Sequence, residues 1–125
     1  MKMMCNRTCA QFSPNGKYLL AGSLDSSVRL WSVHAGKCVK SFSGIVNLKY
    51  CCFPTFIPIE NEMYVVSGSE DGNVVLWDLN TQTIQGKHKV FEGPILALAV
   101  NPSRPLIAVA SLQPELDIKI FRLNH

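Results

Sequence analysis

Apolar and polar residues alternate along this chain in short bursts, each closed by a cluster of Gly, Pro, Asn or Ser, which is the signature of strands joined by tight turns. Residues 8–12, 18–22, 28–32 and 38–42 are expected as strands. Ser13-Pro14-Asn15-Gly16 between the first two has Pro and Gly where a turn needs them, and Ala35-Gly36-Lys37 turns the chain again. The same alternation predicts strands at 50–53, 64–67, 74–78 and 83–88, with 54–62 as a surface loop because it carries two prolines and several charged or amide residues. A last set is expected at 95–100, 106–110 and 117–121, followed by only four residues. Helical periodicity is absent, since Gly, Pro or Asn-rich interruptions fall in every window of a dozen residues. The fold class is therefore all-β, with eleven strands in sets of four, four and three. Residues 1–7 show no period and are expected as a poorly ordered lead-in.

The three sets repeat one another. Gly22-Ser23-Leu24-Asp25-Ser26-Ser27-Val28-Arg29-Leu30-Trp31 recurs 46 residues later as Gly68-Ser69-Glu70-Asp71-Gly72-Asn73-Val74-Val75-Leu76-Trp77. A weaker third copy runs from Ala110-Ser111 to Ile118-Lys119-Ile120-Phe121, with Phe121 standing 44 residues after Trp77 and Glu115 six before it. Such a period, with a turn acid and an aromatic close, resembles the WD repeat, whose unit is about 40–45 residues and four antiparallel strands. Asp25, Trp31, Asp71, Trp77, Glu115 and Phe121 occupy the structural positions of that pattern. The expected units are 8–48, 49–90 and 91–125, a partial β-propeller of three blades whose last lacks its outer strand.

With 125 residues, 47% hydrophobic and 17% charged, the composition is that of one folded domain. The net charge of +3 is spread over scattered Lys and Arg, so no nucleic-acid footprint emerges. No run approaches the roughly 18 apolar residues of a membrane helix, and no signal-peptide core opens the chain, so a soluble intracellular protein is expected. Five cysteines without metal-ligand spacing and three dispersed histidines point to no metal and no cofactor, and the thiols are expected to be free and buried. Nucleophile elbows, phosphate loops and zinc-protease motifs are all missing, so a binding scaffold rather than an enzyme is the expected class.

Ser13-Pro14-Asn15-Gly16-Lys17-Tyr18, Gly36-Lys37-Cys38, Lys49-Tyr50-Cys51, Phe53 and Ser67-Gly68-Ser69-Glu70-Asp71 together are similar to the last three blades of the WD-repeat scaffold of histone H3 lysine-4 methyltransferase complexes of the COMPASS and MLL type. That resemblance implies a nuclear scaffold, or one shared with the cytoplasm, that binds peptides of methyltransferase-complex subunits and the histone H3 tail, with no direct contact to nucleic acid or membrane. It implies a central-channel arginine site at Thr8, Tyr50, Cys51, Phe53 and Leu96, of which only half is present because the second aromatic ring belongs to an earlier blade. It also implies a cleft between the first two blades for an acidic-hydrophobic peptide, walled by Asn15, Tyr18, Leu30, Phe56, Pro58 and Asn80. Pro58 departs from a β-branched residue and Asn80 from a longer amide. The Gly-His pair that precedes each blade in the family is replaced by Gly44-Ile45 and Val90-Phe91, so Asp25 and Asp71 must rely on turn donors and on Ser23 or Ser69. Closure of such a disc takes seven blades; three require further blades or self-association. A generic adaptor in RNA processing or ubiquitin ligation, and a non-functional truncated product, are the alternatives.

Overall fold

A computed structural model describes residues 8–50, 54–111 and 117–123. The eleven strands form three antiparallel sheets that stack as blades in an open arc. Sheet one orders β1 (Thr8–Phe12), β2 (Tyr18–Ser23), β3 (Ser27–Ser32) and β4 (Lys37–Phe42); sheet two orders β5 (Thr55–Ile59), β6 (Glu62–Gly68), β7 (Asn73–Asp78) and β8 (Ile84–Lys89). Sheet three holds β9 (Ile95–Val100), β10 (Leu106–Ser111) and β11 (Ile118–Arg122), with β11 on the outside. All-β architecture in sets of four, four and three strands is thus what the alternation predicts.

One element differs. The segment expected as the loop 54–62 contains β5, in register with β6 from Thr55↔Val66 to Ile59↔Glu62. β5 pairs on one side only, so the prolyl nitrogen of Pro58, which cannot donate, meets no demand on the other. Tyr50, expected to open a strand, lies in a bend, and Cys51, Cys52 and Phe53 fall outside the described residues, as do Glu115 and the lead-in 1–7.

Alternation delivers every second side chain of β2, β3 and β4 to the gap with sheet two, where Leu20, Val28, Leu30 and Phe42 meet Val65, Val75 and Trp77. On its other face sheet two offers Ile57, Tyr64, Val66, Val74 and Leu76 to Ile95, Ile107 and Val109 of sheet three. Trp77 is fully buried, its Nε1 donates to the Ser43 carbonyl at 2.8 Å, and its ring lies 5.7 Å from that of Phe42. Trp31 occupies the equivalent place on the outer face of sheet one. It is only half-buried, yet its Nε1 is shielded from water and has no acceptor among the described residues. Phe12, Ile118 and Ile120 are 63%, 72% and 70% exposed on the outer sheets.

The turns are fixed by backbone demands. Gly72 has φ +85°, and a Cβ there would come within 1.8 Å of the Phe91 carbonyl oxygen. Its own carbonyl accepts the N–H groups of Val90 and Phe91 at 2.8 and 3.3 Å, which pins the connection to sheet three against the turn of sheet two. Only glycine satisfies both conditions. The cysteines need a correction: Cys9, expected as a free thiol, is disulfide-bonded, a pairing that spacing in the sequence does not report. Cys38 is free and exposed.

Trp77→Ala should cost about 3–5 kcal/mol, since it empties a closed cavity and removes a bonded indole. Trp31→Ala, at a half-buried face, should cost roughly half as much. Chemical denaturation of the two variants checks the difference, and equal losses would contradict the unequal burial.

Candidate functional site

Sheets one and two diverge at one end and leave a cleft of about 570 Å³. The turn Ser13-Pro14-Asn15-Gly16 and β2 form one wall, β3 and β4 the floor, and β5 with the turn after β7 the other wall. Asn15, Tyr18, Leu30, Phe56 and Asn80, singled out from the sequence, all line it. Pro58 does not; its directly paired cross-strand neighbour Met63, which leaves the sheet on the same face, lines the cleft instead.

The polar groups at the rim divide into engaged and available. Asn15 Oδ1 accepts Ser13 Oγ at 2.7 Å and Lys17 N at 2.9 Å, which holds the turn and leaves the amide N–H groups without a partner among the described residues. Lys40 Nζ donates to the Leu79 carbonyl at 2.8 Å and reaches the Asn80 carbonyl at 3.5 Å. A cation is thereby fixed in the cleft, and among the described residues no carboxylate lines it. Tyr18 is 38% exposed and Leu30 3%, so the wall mixes a reachable phenol with a closed apolar floor. Such a surface suits an extended chain with apolar side chains and negative charge.

The channel residues are not brought together as visibly. Tyr50 is half-buried with Lys49 Nζ 5.6 Å from its ring centre, Leu96 is half-buried on β9, and Thr8 pairs with Ser23 at the start of β1. Cys51 and Phe53 lie outside the described residues. The inner strands do leave a space of about 470 Å³, but it is lined by Ala10, Gln11, Thr55, Leu98, Ala99 and Val100, further along the strands.

Glu70 was not singled out by the sequence reading. Its Oε2 accepts the N–H groups of Leu48, Lys49 and Tyr50 at 2.9, 2.7 and 2.7 Å, gathering three donors of the connection between sheets. The only sequence signal was an acid inside the turn Ser69-Glu70-Asp71-Gly72. Asp25 accepts the Ser27 backbone and hydroxyl and pairs with Arg29 at 3.3 Å, so the Ser27 hydrogen bond above all lowers its pKa. Burial pushes the Asp71 carboxyl up, but hydrogen bonds from Ser69 and Asn73 outweigh it and leave the pKa lowered. Ser69, expected as a partner of the second turn acid, contributes; Ser23 instead gives its carbonyl to Asn47 Nδ2 at 3.2 Å. Among the described residues no His, Cys, Asp or Glu cluster could hold a metal ion.

Both turn acids have folded pKa values below the ordinary 3.8, so their contribution to stability is fully present above that value and is lost as pH falls through the folded pKa. Denaturation midpoints should drop between about pH 5 and about pH 2, and the drop should be smaller in an Asp25→Asn, Asp71→Asn double variant. An undiminished drop in that variant would assign the acid sensitivity elsewhere.

The profile of the WD domain, G-beta repeat, matches residues 6–32 and 36–78. WD repeat domain-containing protein 83 of Danio rerio is 36% identical over 101 residues, covering 78% of this chain and 30% of its own length. Its Homo sapiens counterpart is 35% identical over 106 residues, covering 82% and 32%. The WD repeat-containing protein C713.05 of Schizosaccharomyces pombe is 33% identical over 118 residues, covering 94% and 38%. The chain thus spans about a third of the length of these relatives. Among solved structures, the computationally designed Ika4 protein superposes with a TM-score of 0.69 at 21% identity, covering 92% of this chain and 64% of that one, a likeness of fold alone.

Proposed function

This chain belongs to the WD-repeat family, and we propose that it is a non-enzymatic protein-interaction scaffold whose cleft between sheets one and two receives an extended acidic-apolar peptide. WD-repeat proteins in general serve as scaffolds for protein partners. The observation that carries the reading is the cleft itself: an apolar floor at Leu30 beside an apolar wall at Phe56, amide groups of Asn15 and Asn80 at the margin, and the Lys40 ammonium held in place with no carboxylate lining the cleft among the described residues. Apolar side chains of a bound peptide would cover the floor, its backbone would meet the amides, and its carboxylates would complement Lys40.

The finer assignment within this proposal is a histone H3 lysine-4 methyltransferase complex in the nucleus. It is supported by the similarity of the Ser13–Tyr18, Lys49–Phe53 and Ser67–Asp71 stretches to that scaffold, with the cleft peptide coming from a partner subunit. A second reading, an adaptor in a different assembly, is favoured by relatives that carry the name WD repeat domain-containing protein 83. Affinity purification separates the two: co-purifying methyltransferase subunits support the first, and their absence beside a different stable assembly supports the second.

For an acidic-apolar peptide from a partner subunit, Tyr18→Ala or Phe56→Ala should weaken binding by about 1–3 kcal/mol, the range of an interface anchor. Phe53→Ala should change it little. Calorimetric titration decides, and the cleft reading fails if Tyr18 and Phe56 are both silent or if Phe53 dominates.

A further inference from the structure

The turns that follow Trp31 and Trp77 are built alike. Ser32 and Asp78 each accept, on the backbone carbonyl and at 2.9 Å, the N–H of the residue four places on, which is Gly36 in one turn and Gln82 in the other. Ser32 Oγ accepts Ala35 N at 3.1 Å, as Asp78 Oδ1 accepts Thr81 N at 3.0 Å. At the fourth place both backbones are left-handed, with φ +68° at Gly36 and +63° at Gln82. Glycine adopts that conformation freely, whereas a residue with a Cβ does so at a cost. Sheet two therefore holds a strained glutamine where sheet one holds the residue the turn asks for.

The glutamine side chain makes a contact that glycine cannot. Gln82 Oε1 accepts Ser41 N of β4 at 3.0 Å, across the gap between the two sheets. Next to Ser41 on the same strand, Lys40 Nζ donates to the Leu79 carbonyl of this turn at 2.8 Å. The turn is stiff in itself, because Asp78 Oδ1 takes the N–H groups of Asn80 and Thr81 and Asp78 N donates to the Thr83 carbonyl. Adjacent residues of β4 thus clasp a rigid jaw to sheet one. Leu79 and Asn80 of that jaw line the cleft, and Gln82 and Ser41 do not. Both sheets joined by the clasp have four strands, so none of the open outer faces takes part.

Lys40 is the one charged side chain lining the cleft among the described residues. A lysine on an open surface loses rotamer freedom when it pairs with a carboxylate, which is why such pairs are weak. Lys40 is directed before any ligand arrives, as long as the Leu79 carbonyl stays within its reach. We propose that Gln82 is a positioning residue of the cleft: by holding the turn against β4 it keeps the Lys40 ammonium aimed, and so sets the preference for a peptide that carries a carboxylate. The inference rests on the cleft being the peptide site and names the residue that makes it selective.

The probes are two amidated heptapeptides with a neutral fluorophore, Ser-Leu-Ile-Glu-Leu-Ile-Ser and its counterpart with Gln for Glu, titrated by anisotropy against the full chain. The wild type should prefer the Glu peptide by about ten-fold, and Lys40→Met should abolish the preference. Gln82→Gly removes the bond and the strain, whereas Gln82→Ala removes the bond and keeps the strain. Both should reduce the preference to about three-fold or less, while the urea midpoint stays or rises in Gln82→Gly and falls in Gln82→Ala. A loss of preference that follows the amide and not the stability is what a merely structural glutamine would not give. A preference intact in both Gln82 variants, lost only in the less stable Gln82→Ala, or retained in Lys40→Met overturns this inference alone, provided Tyr18→Ala and Phe56→Ala still weaken both peptides. Binding of neither peptide, or binding indifferent to Tyr18→Ala and Phe56→Ala, overturns the cleft reading and this inference with it.

Discussion

The packing of one twisted sheet against the next through Trp77 is the contact on which the rest of the molecule depends. A single sheet of this size buries only one side of each strand and has no independent core. Trp77 changes that by filling the gap with a ring that touches Phe42 and by giving its N–H to the Ser43 carbonyl, so the largest apolar side chain is also polar-satisfied. The cleft at one end of this gap exists because the middle is so fully occupied: the sheets are held at a fixed spacing and part only where the twist carries them apart. In the second gap the corresponding filler is Phe121, and the separation reappears as open space.

Between the sheets, the connection 44–47 is hydrogen-bonded to the turns of both. Val46 exchanges bonds with Ser69 and accepts from Glu70 N at 2.8 Å, while Asn47 bonds Ser26 and Ser23 of the preceding turn. Ile45 and Asn47 are buried and Val46 lies between the two turns, so one short segment is tied to both sheets. Its rigidity fixes how the walls of the cleft stand relative to one another. Glu70 extends the same stitch by three residues and reaches Tyr50.

Most of the architecture was legible because it is written in period and punctuation: Trp31 and Trp77 mark equivalent strands, Asp25 and Asp71 equivalent turns, and Ser13-Pro14-Asn15-Gly16 is a turn in any context. β5 was hidden because two prolines mimic a loop, whereas a strand paired on one side tolerates them. The residues of the cleft were readable only through likeness to a known scaffold, since Asn15 alone is a turn residue and Leu30 alone a core residue. Neither the disulfide at Cys9 nor the triple acceptance by Glu70 leaves a mark in local pattern, and the Glu70 contacts join segments that the chain order keeps apart. The unequal burial of the two tryptophans was equally invisible, as it depends on which neighbour covers each face.

That inequality gives the molecule a built-in optical gauge. Trp77 sits in a dry, bonded environment that stacking at the outer faces leaves untouched, while Trp31 presents part of its ring to whatever lies against sheet one. Indole emission responds to the polarity and hydrogen bonding of its surroundings. One tryptophan therefore reports the integrity of the arc, and the other reports whether a further layer has been added to it.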